Sequence, residues 1–265
     1  MNTDLCDWAM LAKEFEKQKY IQMPCIIQPK LNGIRVKWDC NIKRFVTRQG
    51  EIVSKDIIPH LYAAYHNSAC SLDGELYCHG MAFQDIYARV AIGRIRAHLD
   101  VNKIQFHVFD IISQDLTEQR IAQTAVYGMV PCLKIFSLEE LYFHHTIWVA
   151  QGFEGTMVRR LGQPYIIGRT DALLKLKNKH EMTVTIVGFQ EGEGKFKGKV
   201  GAILVSTGKH RFKLGGGKIT EDQREMLWKD QPNWLNRQII IEYCETSMSG
   251  KPLKAQVKCL HIPIA

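Results

Sequence analysis

The sequence is poor in the features that would place it in several large classes. None of its eight cysteines, at 6, 25, 40, 70, 78, 132, 244 and 259, forms a Cys-x-x-Cys pair. That argues against a zinc ribbon or a redox motif, and the scatter suits reduced, packed thiols. No stretch is long and apolar enough to span a bilayer, and Met1-Asn2-Thr3-Asp4 does not begin a signal peptide, so a soluble cytoplasmic protein is expected. Acidic residues are also scarce: 27 Asp and Glu face 35 Lys and Arg, giving a net charge of +8 and a pI near 9.0. This balance favours a polyanionic partner, nucleic acid first, although a basic solvated surface has the same composition. At 265 residues and 46% hydrophobic, the chain can bury one large core or two unequal ones.

One stretch stands out. Cys25-Ile-Ile-Gln-Pro29 is an apolar run ended by a proline, which cannot donate a ladder hydrogen bond, and Lys30 follows at once. Asn32-Gly33 is a turn dipeptide, and Ile34-Arg35-Val36-Lys37-Trp38 resumes strand alternation. Lys30 is expected at the mouth of a tight strand-turn-strand corner with Arg35 returning beside it. By itself this describes a nucleophilic amine or a hairpin with a surface lysine.

The rest of the chain supplies context. Residues 4–19 have helical spacing, with Leu5, Trp8, Leu11, Ala12 and Phe15 on one stripe. Cys40-Asn41 turns into a strand over Lys43 to Thr47, followed by Arg48-Gln49-Gly50, where Arg48 is a solvated charge or a phosphate contact. Ser54 can cap a helix carrying Ile57, Ile58, Leu61 and Tyr65. In Asp73-Gly-Glu75-Leu76, alternation turns Glu75 away from Leu76, toward solvent or a cleft. A helix is expected over Phe83 to Val90 and a strand over Ile104 to Asp110, in which Phe109 is a core residue or a platform for a base. Ser137 to Glu140 has the form of a capping box ahead of a helix to Ala150. Glu154-Gly155 opens a β-prone run, Gly168-Arg169 follows, and Leu173 to Lys177 alternates so that Lys175 and Lys177 share a face. Either an anion lies near those two charges, or they mark a solvated edge strand.

From Thr183 onward the pattern changes to short strands at Thr183 to Gly188, Gly201 to Val205, His210 to Leu214 and Gln238 to Tyr243, with a helix near Glu221 to Trp228. This reads as a five-stranded barrel of the oligonucleotide-binding (OB) type. Glu191-Gly-Glu-Gly-Lys195 is no phosphate loop, because Phe189 and Phe196 stand where that motif needs Gly and Ser or Thr.

Taken in order, these pieces resemble the covalent nucleotidyltransferase superfamily, and within it the small ATP-dependent DNA ligases of viruses and bacteria. Lys30-Leu-Asn-Gly-Ile-Arg35 looks like the nucleophile motif, Arg48-Gln-Gly50 the next element, and Asp73-Gly-Glu75 the third motif. Phe109-Asp110 resembles the base-stacking motif, Glu154-Gly155 the fourth and Lys175-Leu-Lys177 the fifth. Val187 to Lys195, with Gly201-Ala202, resembles the opening of the ligase OB domain, and the match spans about residues 25–250.

The resemblance implies an α+β architecture: a nucleotidyltransferase domain of ATP-grasp-like antiparallel sheets with helices over 1–181, then an OB-fold domain over 182–265. It implies an enzyme that joins 5′-phosphate and 3′-hydroxyl ends at nicks in duplex DNA through a lysyl-AMP intermediate and a DNA-adenylate. Lys30 would be the nucleophile, with Arg35, Lys175 and Lys177 as neighbouring cations that disfavour its charged form. Gln28 and Phe109 would receive adenine, Arg35 and Glu75 the ribose, and Lys175 and Lys177 the α-phosphate, with Leu31 also among the cofactor-binding residues. Glu154 and Glu75 would hold Mg2+, or Mn2+ in its place, while Arg48 and Arg169 would contact the DNA phosphate. A monomer in the cytoplasm of a bacterium or an infected cell is implied, using ATP and not NAD, since too little chain precedes Cys25 for a nicotinamide-binding module.

Two departures stand out. Asn32 occupies the place of an Asp in the nucleophile motif, which implies slower chemistry, and the tail Pro252 to His261 offers only Lys254 and Lys258 where the family has arginines. An RNA ligase, an mRNA-capping guanylyltransferase and a catalytically impaired nick-binding relative are the alternatives. The loop between Val187 and Leu204 is short, so no long hairpin insertion to close around the duplex is expected; contact with DNA should come from the two domains themselves, largely through phosphates, with affinity falling steeply as salt rises.

Overall fold

The computed structural model describes residues 7–90, 96–128, 130–215, 219–247 and 249–260. Leu5, Cys6 and His261 lie outside them. The chain forms two units, one ending at Lys177 and the other starting at Asn178, against a boundary of 181/182 expected from sequence.

Among the described residues the first unit holds ten strands. They are β1 (Met10–Glu14), β2 (Cys25–Lys30), β3 (Ile34–Asp39), β4 (Arg44–Thr47), β5 (Ile52–Val53), β6 (Leu72–Tyr77), β7 (Gln105–Ile111), β8 (Leu133–Ile135), β9 (Gly155–Arg160) and β10 (Gly168–Lys177). The helices are α1 (Pro59–Tyr65), α2 (Phe83–Val90), α3 (Thr117–Thr124) and α4 (Leu138–Ala150). One sheet runs β1-β10-β9-β2-β8 and the other β5-β4-β3-β6-β7. All pairings are antiparallel except β1 with β10.

Period-2 alternation gives each sheet one apolar and one polar face. In the first sheet Cys25, Ile27, Val158, Leu174 and Leu176 form a core with Leu141 and Trp148 of α4. In the second, Val36, Trp38, Leu72, Leu76, Phe106 and Val108 pack with Leu61 and Tyr62 of α1. An aromatic cluster stiffens this second core, with ring centroids 4.9 Å apart for Trp38–Phe45, 5.0 Å for Phe45–Phe106 and 5.1 Å for Tyr65–Phe106. Each such pair contributes about 1 kcal/mol beyond its buried area.

Two expectations about local structure fail. The stripe assigned to a helix over 4–19 is instead β1 followed by one 3-10 turn at Phe15–Lys17. Trp8, Ala9, Met10 and Leu11 are all buried, and an apolar run covered on both sides carries no period that separates helix from strand. Ser54 caps no helix. Its hydroxyl accepts from Asp56 N at 3.1 Å within a turn, and α1 begins at Pro59, where proline can supply the first helical residue without wasting a donor. The expectation for α4 holds at its cap, where Ser137 Oγ accepts from Glu140 N at 3.1 Å, while the Glu140 carboxylate accepts from Phe136 N at 2.8 Å.

The second unit is a five-stranded antiparallel sheet with its own core. Its strands are β11 (His180–Glu191), β12 (Val200–Ser206), β13 (Arg211–Gly215), β14 (Gln238–Tyr243) and, past the short β15 (Glu245–Thr246) and β16 (Pro252–Leu253), β17 (Gln256–Cys259). Their order is β13-β12-β11-β14-β17. Leu227 of α5 (Glu221–Lys229) and Trp234 of α6 (Gln231–Trp234) pack on Ile186, Val205 and Ile241. In the loop after β11, the Glu191 carboxylate accepts from Gly198 N at 2.8 Å, so this loop spends an amide on its own acid. Lys254 pairs with Glu245 at 3.0 Å and Lys258 with Glu181, so both candidate replacements for tail arginines have acidic partners inside this unit. The described cysteines are free thiols, and among the described residues no helix is long and apolar enough to cross a membrane.

Gly155, at the start of β9, has φ +155° and no room for a side chain: a Cβ there would sit 2.2 Å from Leu176 O and 3.0 Å from Lys177 Cα. Gly155→Ala is expected to force β9 and β10 apart and to cost about 1–3 kcal/mol, read as a lower urea midpoint with an unchanged slope.

Candidate active site

The polar face of the first sheet is built in rows. Lys30, Gly155 and Lys177 lie side by side across β2, β9 and β10, and Gln28, Met157 and Lys175 form the next row on the same face. Gly155 puts no side chain between the two lysines of its row. Glu154, one residue earlier, donates its backbone N–H to Lys30 O at 3.0 Å and turns its carboxylate onto both amines. Lys30 Nζ pairs with Oε2, and Lys177 Nζ lies 2.7 Å from Oε1. Burial pushes the Glu154 carboxyl up, but the charges and hydrogen bonds of Lys30 and Lys177 outweigh it and hold the group below the ordinary carboxylate range.

The cations expected beside the amine do not stand unopposed. Every cation named for that purpose has an acidic partner: Lys177 has Glu154, Lys175 has Glu14 at 2.9 Å, and Arg35 has Asp73. The physical reason is that burying several like charges together without counter-ions costs too much, so the fold interleaves carboxylates from β1, β6 and the turn before β9.

The second sheet contributes Arg35, Asp73, Glu75 and Phe109. Arg35 is paired with Glu75 across the β3–β6 ladder, but its guanidinium is bidentate to Asp73, with Nε–Oδ1 3.0 Å and Nη2–Oδ2 2.6 Å. It also lies 5.3 Å from the ring centroid of Phe109 and 5.7 Å from that of Trp8. Tyr165, buried, donates to Asp73 Oδ2 at 2.7 Å and accepts from Met10 N at 3.1 Å. Strand β1 is thereby tied to the arginine. A β-bulge interrupts the β6–β7 ladder at Phe109: Asp73 pairs with Asp110 and Gly74 with Val108, leaving Phe109 without a ladder partner.

Glu75 accepts from Gly33 N at 3.0 Å and so shapes the turn that follows Lys30. Gly33 is needed there, since a Cβ would meet Leu76 O at 2.3 Å and Glu75 Cγ at 2.8 Å. Burial raises the Glu75 carboxyl to about 7; Lys30, the Gly33 amide and Arg35 oppose the rise, and Glu154 adds to it. Glu75 and Glu154 are thus close enough to feel each other. Among the described residues no group of three or more His, Cys, Asp and Glu could hold a metal unaided. Two carboxylates that leave the remaining ligands to phosphate oxygens are a donor set that suits magnesium.

The other expected residues divide. Gln28 is 1% exposed, with Nε2 donating to Phe109 O at 3.1 Å, and Leu31 is buried in the second sheet's core. Arg48 is exposed in the turn after β4. Arg169 is exposed at the far end of β10 from Lys177, where eight extended residues cover about 25 Å, and donates to Ala12 O at 3.0 Å. Sequence reasoning missed Trp8, Asp73 as a clamp, Tyr165, and the buried set Asp110, Arg120 and Arg159. For Arg159 a signal existed: a charge interrupting a β-prone run.

Known proteins resemble this chain in sequence and fold. Residues 191–260 match the DNA ligase OB-like domain family model. A DNA ligase of Haemophilus influenzae is 26% identical over 238 residues, covering 86% of this chain and 83% of that protein. These likenesses support a small ATP-dependent DNA ligase. A DNA ligase of African swine fever virus (isolate Pig/Kenya) is 25% identical over 273 residues, and the chain spans 64% of that longer protein. Among solved structures, a Lig E DNA ligase superposes with TM-score 0.78 at 23% identity, covering 96% of this chain and 98% of that one. The Chlorella virus DNA ligase-adenylate gives 0.58 at 21% identity, covering 98% and 100%. The ligase fold, a nucleotidyltransferase unit followed by an OB unit, is as expected from sequence.

The Glu75 carboxyl yields a pH prediction. Between pH 4.5 and about 7 the folded ligase keeps a proton on Glu75 that the unfolded chain has released, so this group's contribution to stability falls as pH rises through that window. Relative to Glu75→Gln, the wild type should lose on the order of 2 kcal/mol across it, a figure reduced to allow for partial exposure. Urea titrations at several pH values measure this, and parallel curves for the two proteins would count against it.

Proposed function

We propose that this ligase seals 5′-phosphate/3′-hydroxyl nicks in duplex DNA with ATP, through an AMP bonded to Lys30. The observation that carries the reading is the buried Glu154 carboxylate shared by Lys30 and Lys177 across Gly155. An isolated surface lysine would need none of this. A strand-end amine fixed against an acid, with a second cation one strand beyond, suits attack at phosphorus.

In the first step the Lys30 amine, after giving up a proton, bonds to the α-phosphorus of ATP, and the bond to pyrophosphate breaks. Glu154 holds the amine in place before the nucleotide arrives. Incoming phosphates compete for Lys177 and Lys175, both of which sit on the same sheet face as Lys30, and their negative charge replaces the carboxylates those lysines now face. A magnesium ion, or manganese in its place, would be held by Glu154 and Glu75 and would offset the charge on the phosphates and the leaving group. Arg35, braced by Asp73 and near the Phe109 ring, would hold the ribose beside a base received by Phe109 and Gln28. In the second step the AMP moves to the 5′-phosphate at the break, where Arg48 and Arg169 are the proposed contacts. In the third, the 3′-hydroxyl attacks that phosphate, the phosphodiester forms, and AMP leaves. The net charge of +8 supports contact with the DNA backbone.

The test is direct. Incubation with ATP and magnesium should add one AMP mass, and peptide mapping should place it on Lys30. Lys30→Ala should lose the adduct and nick sealing entirely. An undiminished adduct in that variant would overturn the assignment, and an adduct formed from GTP in place of ATP would favour a capping-type enzyme.

A further inference from the structure

Behind the base-stacking residue lies a buried polar set that the steps above do not use. Asp110 is fully buried and receives two arginines: Arg120 through Nε at 2.8 Å, and Arg159 through Nη1 at 2.5 Å. One carboxylate against two guanidiniums leaves a surplus positive charge in the interior, and the second arginine needs a further acceptor. It has one. Arg159 Nε donates to Gln28 Oε1 at 2.8 Å, and its guanidinium carbon lies 5.8 Å from the Phe109 ring centroid. Arg159, 3% exposed, therefore touches both residues assigned to the base.

The hydrogen-bond chemistry makes this contact directional. Arginine only donates, so the Gln28 oxygen must face Arg159; a backbone carbonyl only accepts, so the Gln28 amino group must face Phe109 O, which it reaches at 3.1 Å. The amide cannot turn over without losing both bonds and setting like groups against each other. One lone pair and one N–H remain to it, in a fixed order. A purine with an amino group at C6 presents a donor there and an acceptor at ring N1, whereas a purine with an oxygen at C6 presents the reverse pair. An amide held one way complements one of these; an amide free to rotate by 180° can serve either.

We infer that Arg159 is a specificity-determining positioning residue, which pins the Gln28 amide so that the site distinguishes 6-amino from 6-oxo purine nucleotides. The inference rests on the reading that Gln28 and Phe109 receive the base. A site built around oriented polar groups rejects a mismatched ligand because its buried donor and acceptor are then left unpaired. The Phe109 carbonyl still orients the amide when Arg159 is gone, so the loss of discrimination should be partial.

The experiment compares self-nucleotidylation of the full chain with ATP and with GTP, in magnesium, for wild type, Arg159→Met, Arg159→Lys and Gln28→Ala. Arg159→Met should lower the ratio of kcat/KM for ATP over GTP by about tenfold, chiefly through KM. Arg159→Lys keeps a charge beside Asp110 but lacks the fork that serves two acceptors, so it should lower the ratio as well while keeping the fold; it carries the test if Arg159→Met does not fold. If both Arg159 variants that fold slow ATP and GTP equally and leave the ratio unchanged, Arg159 is only structural and the inference fails. Gln28→Ala separates the two levels. An unchanged KM for ATP in that variant overturns the base-site reading itself, whereas a raised KM together with an unchanged ratio in the Arg159 variants overturns only the role given to Arg159.

Discussion

The site depends on one carboxylate shared by two amines. Glu154 can reach Lys30 and Lys177 because Gly155 leaves the space between β2 and β10 clear and because β9, running between them, begins at that glycine. A Cβ added at the same glycine would sit 2.2 Å from Leu176 O, so close strand approach and access to the acid are one feature. A buried ion pair is weak evidence for stability, since desolvation offsets most of its attraction. Its value here is positional, because it holds a long, flexible side chain at one point.

A second constraint runs through Arg35. Its fork is filled by Asp73, and Asp73 is in turn held by Tyr165, whose hydroxyl also accepts the Met10 amide. The first described strand, the loop before β10 and the third-motif acid are thus joined in one chain of bonds. Burial drives the Tyr165 phenol well above its ordinary range, with Asp73 adding to the rise, so the hydroxyl remains a donor to that carboxylate. Charge around the site is managed by giving Lys30, Lys175, Lys177 and Arg35 acidic partners, with Glu154 shared by two of them, and an arriving polyphosphate would displace those partners. An electrostatic exchange of this kind lets the free protein keep several lysines and arginines together without strong mutual repulsion.

Legibility differed by level. The strands at Cys25, Ile34, Leu72, Gly155 and Gly168 were readable because each alternates, or ends at a Pro or Gly that ladder geometry demands. The site lysines and acids were readable because their order along the chain follows a known pattern, although each short motif alone was ambiguous. The N-terminal segment was misread as a helix, since Trp8 to Leu11 are buried on both sides and no period survives. Phe109 follows the core residues Phe106 and Val108 and lies half-buried against that core; the bulge opposite Asp73 and Gly74 drops it from the ladder register, and nothing in the residues themselves announces a bulge.

The amino-acid order by itself determined the two-part α+β plan and singled out Lys30 as the candidate nucleophile, because periodicity and motif order are local properties that survive without coordinates. It also determined the positive balance that suits a polyanion. Tertiary structure alone decided which acid meets which base. The pairings Lys30–Glu154, Arg35–Asp73 and Arg159–Gln28 join residues separated by 124, 38 and 131 positions. Sheet register, set by core packing on the opposite face, chooses among those distant partners, and a linear pattern of charges carries no record of that choice.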